Sequence, residues 1–310
     1  MTAAVINIFT GFSTTSTLEE VQKQRDIRRK EAAQYNQTTT MKMLNGHDYT
    51  VRALMGHTCP SETPSIVDEG RLHTLLYDHR FVSDFILGKI GDAMILCDSI
   101  RHVIHPVSIG ECEFYLFDGL INIVWYKDNV VATKGKTTQR TITTTSSSSS
   151  SSSVAVWSAT KGTKRINRLR IIKACMKQLK KYAKATPLFA LGKMHLLKAE
   201  LLSLSPRKEA AAREHFMIAV ALAKDNGYYI DHVVSLERYT RFLESIGDTT
   251  NALSYLEKTC EAYRQWNAYA KVDMLEAELR EKRRDGEVKG KSEGKRQLGS
   301  SEMTMLASLT

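Results

Sequence analysis

A chain of 310 residues with 42% apolar composition has material for one large or two medium domains, and no apolar run approaches a membrane span of roughly 20 residues. Five dispersed cysteines (Cys59, Cys97, Cys112, Cys175 and Cys260) contain no CxxC pair; such a set reads as reduced thiols in a cytoplasmic interior and excludes a disulfide scaffold. The net charge of +10 is concentrated: Lys127 to Lys184 holds fourteen Lys or Arg and one acid, Asp128, a local +13 that leaves −3 for the rest. An electrostatic partner is therefore expected at that segment alone.

Residues 1–64 are polar and threonine-rich. They are expected to be mostly flexible, with one short charged helix from Glu19 to Ala33 that has only Leu18, Val21 and Ile27 as apolar anchors. Ala3 to Phe9 is apolar but lacks the basic residues that open a signal peptide. Residues 65–126 form a first helical region. Ser65 caps a helix with Ile66, Leu72, Leu75, Leu76 and His79 on one face, and Phe81, Phe85 and Ile86 continue the pattern to Gly88. Ala93, Leu96, Cys97 and Ile100 make the next stripe. Pro106 and Gly110 break it, and Phe114, Phe117, Leu120, Ile121 and Val124 return to helical spacing. Ile121 to Trp125 alone suits a strand, but its flanks keep the 3.6-residue period.

Residues 127–163 are expected to be a disordered basic linker, because Thr141–Thr145 lead into eight serines, Ser146–Ser153. Such a tract buries no apolar surface to offset its chain entropy. Residues 164–282 form a second helical region. Its first helix carries Ile166, Leu169, Ile172, Met176, Leu179 and Ala183; Pro187 and Pro206 open the next two, and Gly227, Gly247 and Trp266 close later ones. A last helix with Val272, Leu275 and Leu279 has the charged outer face of a capping element. Residues 283–310 are a charged, Gly- and Ser-rich tail expected to be disordered.

The second region repeats itself. Ala252, Leu256, Thr259 and Tyr263 occupy the slots held forty residues earlier by Ala212, Phe216, Ala219 and Ala223. Leu196, Ala199 and Leu202 correspond likewise to Leu236, Tyr239 and Phe242, and Gly88–Ala93 reproduces the spacing of Gly247–Ala252. One helix pair cannot bury its own apolar stripe but stacked neighbours can, so the repeat predicts a solenoid. Gly88, Ala93, Ala199, Ala212, Phe216, Ala219, Gly247, Ala252, Leu256 and Tyr263 are its expected packing positions.

The run Lys193 to Glu200, Ala212 to Phe216, Ala219 to Ala223, Asn226-Gly227, Glu237-Arg238, Gly247-Asp248, Tyr255-Leu256, Ala262-Tyr263, Trp266 and Ala270 to Val272 resembles the C-terminal tetratricopeptide-like region of large signalling ATPases. Those proteins place a protein-kinase-like domain and an AAA/STAND ATPase before the helices, often with GAF and histidine-kinase domains after them. The likeness covers about 165–280 and extends faintly to 70–126. It implies an all-α fold of antiparallel helix pairs, stacked as a right-handed solenoid and interrupted by the Ser/Thr-rich linker. It also implies a non-catalytic scaffold in signal transduction, whose concave surface grips a protein or peptide. The first candidate partner is an ATPase or kinase domain of the same system. The repeat is longer than the usual tetratricopeptide unit of about 34 residues, which predicts longer helices.

The family's catalytic motifs are missing from the sequence. Gly290-Lys291-Ser292 has its glycine at Gly286, one residue too near, and Gly135-Lys136-Thr137 has Val130 where a P-loop needs glycine. His79-Arg80-Phe81 lacks a kinase aspartate, and Asp84-Phe85-Ile86 lacks the glycine of the metal-binding loop. Glu214-His215-Phe216 lacks the continuation of a phosphoacceptor box, so His215 reads as structural beside core Phe216. His102, His105 and Cys112, with Cys97 or His79 as a fourth ligand, read as surface histidines beside a core cysteine. No catalytic, cofactor or metal residue is expected.

The competing reading is a basic amphipathic helix over 164–184. Lys164, Arg165, Arg168, Arg170, Lys173, Lys177, Lys180, Lys181 and Lys184 surround an Ile/Leu/Met stripe. Such a helix can lie on an anionic membrane, bind calmodulin or contact nucleic-acid phosphates. The bland alternative is a first repeat helix with a solvated basic face.

Overall fold

The computed structural model describes residues 12, 15–58, 79–101, 110–137 and 151–285, and these are helical, with no strand among them. The helices are α1 (Leu18–Gln34), α2 (Thr38–Met55), α3 (Arg80–Ile86), α4 (Ile90–Arg101), α5 (Glu111–Thr137), α6 (Ser151–Ala185), α7 (Pro187–Leu202), α8 (Glu209–Asp225), α9 (Tyr229–Ser245), α10 (Thr249–Gln265) and α11 (269–285). Helices adjacent in sequence pack as pairs. The apolar stripe read at 65–78 and the histidines His102 and His105 lie outside the described residues, as do 138–150 and the tail beyond 285.

The period has a simple physical unit. Helices α8, α9 and α10 are each 17 residues long and start at Glu209, Tyr229 and Thr249, and α11 follows at 269. Three-residue turns join them, and each closes the preceding helix with the same pair of backbone bonds. At Gly247 the amide donates to Glu244 O (3.1 Å) and the Asp248 amide to Leu243 O (3.0 Å). This closure requires a left-handed residue: φ is +77° at Gly247 and +67° at Asn267, the latter a residue type that tolerates the conformation. Asp248 then caps α10 by accepting the Asn251 amide (3.4 Å). Two such units make the forty-residue repeat.

The described N-terminal residues are more structured than their composition suggests. Two helices stand where one loosely docked helix was expected. Thr17 and Glu20 form a reciprocal capping box on α1. In α2, Leu44, Val51, Leu54 and Met55 are buried. Threonines and a glycine dilute the helix propensity of α2, and the burial of those apolar residues overrides it. Two further boundaries differ from expectation: α5 runs on to Thr137 and α6 begins at Ser151, inside the segment read as linker. Extending an existing helix costs little per residue compared with nucleating one, so weak formers can be carried along.

The first helices close on the last ones. The Leu18 amide donates to Trp266 O (3.1 Å), and the Lys271 ammonium on α11 donates to Ile86 O at the end of α3 (2.6 Å). Phe12 is fully buried against the rings of His47, His79 and Trp266, with centroids 4.9, 5.3 and 5.9 Å away. The two helical regions meet at Gly119 on α5, where an added Cβ would stand 2.7 and 2.8 Å from the methyls of buried Leu197 on α7. Gly119→Val is therefore expected to lower stability by about 1–3 kcal/mol through overpacking, measured as a lower denaturant midpoint. An unchanged midpoint would mean that α5 and α7 do not make this contact.

Candidate interaction surfaces

Ala93, Ala199, Ala212, Phe216, Ala219, Ala252, Leu256 and Tyr263 are buried, and Gly88 and Gly247 occupy left-handed turns. Phe216 packs against Tyr239 and Phe242, with ring centroids 5.6 and 5.2 Å away. The Tyr263 hydroxyl donates to Glu237 Oε2 (2.7 Å).

Helix α9 is the most enclosed of the repeat helices. Helices α8 and α10 bury one stripe each, whereas α9 buries ten residues, from Ile230 to Leu243, spread over more than one face. Charged bridges hold it there. Lys193 on α7 donates to Asp231 on α9, with Glu113 of α5 acting electrostatically on both. Glu200 on α7 accepts Arg238 Nε from α9 (2.5 Å) and Lys127 Nζ from α5 (2.7 Å). Lys271 on α11 pairs with Glu237 on α9 (2.6 Å) while reaching Ile86 O.

Burial and pairing set the charge states of these bridges. Burial works to raise the Glu200 carboxyl, but Arg238 and Lys127 overcome it and hold it down at about 2. Burial pushes Asp231 up to about 6 against the pull of Lys193, with Glu113 adding to the rise. The four described cysteines are buried free thiols. Burial raises all four, Cys112 to about 12, which keeps them protonated packing groups.

The basic helix α6 divides into two faces. Ile172, Cys175, Met176 and Leu179 are buried in the core, and Arg170, Lys173, Lys177, Lys180, Lys181 and Lys184 are exposed. No ion pair engages any of these six among the described residues, and Ser151–Ala185 contains no acid at all. From Arg170 to Lys184 the row extends about 21 Å at the helical rise. Arg168 does not belong to it. Its guanidinium pairs with Asp98 on α4 (3.1 Å), donates to Asn122 Oδ1 on α5 (3.0 Å) and lies 5.7 Å from the Trp125 ring centroid. This arginine knits three helices together, a use that helical periodicity cannot reveal. The side chains of Lys164 and Arg165 lie outside the described residues.

No family model, curated protein or solved structure matches this chain. Its own geometry therefore carries the functional argument. Among the described residues no helix is long and apolar enough to cross a membrane.

One arrangement was missed by the sequence reading. His195 on α7 and His215 on α8 bring their Nδ1 atoms to 2.8 Å, with both rings half-buried. Burial lowers both imidazoles; His215 lowers His195 further, and Lys198 lowers both. His215 thus faces a partner imidazole, besides adjoining Phe216. Its partner lies twenty residues away on another helix, beyond the reach of any local motif.

Proposed function

We propose that this chain is a non-catalytic interaction scaffold that engages an acidic partner through the exposed basic face of α6. The supporting observation is that single-sign row, Arg170, Lys173, Lys177, Lys180, Lys181 and Lys184, with no described ion partners. The outer faces of α8 and α10 mix both signs, with exposed Glu209, Glu214, Lys224, Glu257, Lys258, Glu261 and Arg264. The resemblance to the tetratricopeptide-like arm of signalling ATPases supports a solenoid scaffold, with an ATPase or kinase domain of that system as first candidate partner. Burial of α9 on more than one face favours recognition at an exposed surface over a peptide gripped against that helix.

Burial of the α6 apolar stripe also narrows the modes of the basic helix. Insertion into a bilayer and wrapping by calmodulin both use an apolar helix face, and here that face belongs to the core apart from exposed Ile166 at its start. What remains is contact between cations and a polyanionic surface. An acidic protein surface fits the scaffold reading best.

The test compares two variants of equal net charge on polyglutamate, anionic vesicles and duplex nucleic acid. Lys177, Lys180 and Lys181→Glu should weaken polyglutamate binding about a hundredfold, on roughly 1 kcal/mol per cation, with steep salt dependence and unchanged helicity. Lys23, Lys30 and Lys224→Glu alters exposed lysines elsewhere and should leave most of the binding. Equal losses in both variants would remove the special role of α6. Preference for vesicles or duplex would replace the acidic protein as partner.

A further inference from the structure

We propose that His195 and His215 form a two-imidazole binding site for a divalent late first-row metal ion, with copper(II) the best fit. Metal–imidazole bonds are about 2.0–2.1 Å long, so two cis nitrogens at a right angle stand about 2.9 Å apart and two at a tetrahedral angle about 3.3 Å. The Nδ1 atoms here are 2.8 Å apart. The pair is within reach of cis positions on a tetragonal ion. Tetragonal N,O coordination marks Cu(II) and Ni(II), and copper(II) heads the affinity order of divalent first-row ions.

The backbone presets this bite. His195 and His215 project from α7 and α8, whose packing is fixed by buried Leu196, Ala199, Ala212, Phe216 and Ala219. Chelation therefore requires little ordering of either side chain, which is the condition under which two ligands act as one. Both rings are partly exposed, which leaves a path for an ion and its waters. Exposed Glu214 adds a negative charge beside the pair, and Lys198 a positive one. No group of three or more His, Cys, Asp or Glu converges among the described residues. The site is therefore an open one with two protein donors. It is separate from the basic face of α6 and does not depend on the scaffold reading.

The experiment is a copper(II) titration of the full chain by calorimetry and electron paramagnetic resonance, after treatment with chelator. The expected result is one tight equivalent with two equatorial nitrogens. His195→Asn and His215→Asn should each weaken it by roughly tenfold or more, because a lone imidazole loses the chelate. Melting of the metal-free variants checks that the fold is retained. Zinc(II) should bind more weakly than copper(II). Copper binding unchanged in both variants would place any site among other donors, and absence of a stoichiometric equivalent would leave a hydrogen-bonded imidazole pair. Either outcome overturns the proposal.

Discussion

Lys193→Met is expected to be among the most damaging single substitutions in this chain. Lys193 is about 1% exposed and stands among two buried carboxylates, Asp231 and Glu113, besides the rings of Phe189 (4.0 Å) and Tyr228 (5.5 Å). Removing that cation leaves negative charge in the interior, and breaking a buried pair from one side costs about 3–5 kcal/mol. Methionine keeps most of the volume, so the loss is electrostatic. Asp231 already titrates near 6 because burial outweighs the pull of Lys193; without that pull its carboxyl rises further. The folded variant then binds a proton that the unfolded chain does not, so its deficit should shrink as pH falls from 7 toward 5. Adding Asp231→Leu should recover much of the loss, since it removes one of the two carboxylates together with Oδ1, which has no hydrogen-bond partner, while Glu113 keeps His79 Nε2 at 3.4 Å. Denaturant midpoints of the wild type and both variants at two pH values decide the matter. A double variant as unstable as the single one would locate the damage in packing.

The contrast between what was legible and what was not follows from the reach of each interaction. Gly227, Gly247 and Pro187 mark helix ends by backbone geometry that a residue type announces locally, and the observed turns fall there. The stripes through Phe216, Leu256 and Tyr263 are legible for the same reason, since burial on one helix face repeats every three or four residues. In α2 the propensity of its threonines pointed the wrong way, and only tertiary burial of Leu44, Val51 and Leu54 explains the helix. The candidate surfaces were read less well. Lysines on α6 were visible as a basic stripe, but the sequence could not separate Arg168, spent on Asp98 and Asn122, from Lys177, which faces solvent. The His195–His215 pair depends on how α7 turns into α8. Closure of the first helices on α10 and α11 joins residues some 250 positions apart, such as Glu19 and Tyr269, and no periodicity encodes that.

That closure gives Glu200→Gln its interest. Glu200 is fully buried and holds Arg238 of α9 and Lys127 of α5 on its two oxygens, so it ties α7 and α9 to α5. Its carboxyl lies at about 2 in the folded chain against an ordinary 4.5. A depressed carboxylate contributes stability that is complete above the unfolded value and is lost as pH falls through the folded one. Between pH 4.5 and 2 the wild-type chain should therefore lose about 3 kcal/mol from this group alone. Glutamine keeps the shape and removes the charge, so the variant should start about 3 kcal/mol less stable at pH 7 and lose correspondingly less on acidification. The two stability curves should converge near pH 2. Parallel curves would mean that Glu200 does not hold these cations. Converging curves would make Glu200 the electrostatic tie that joins α5, α7 and α9.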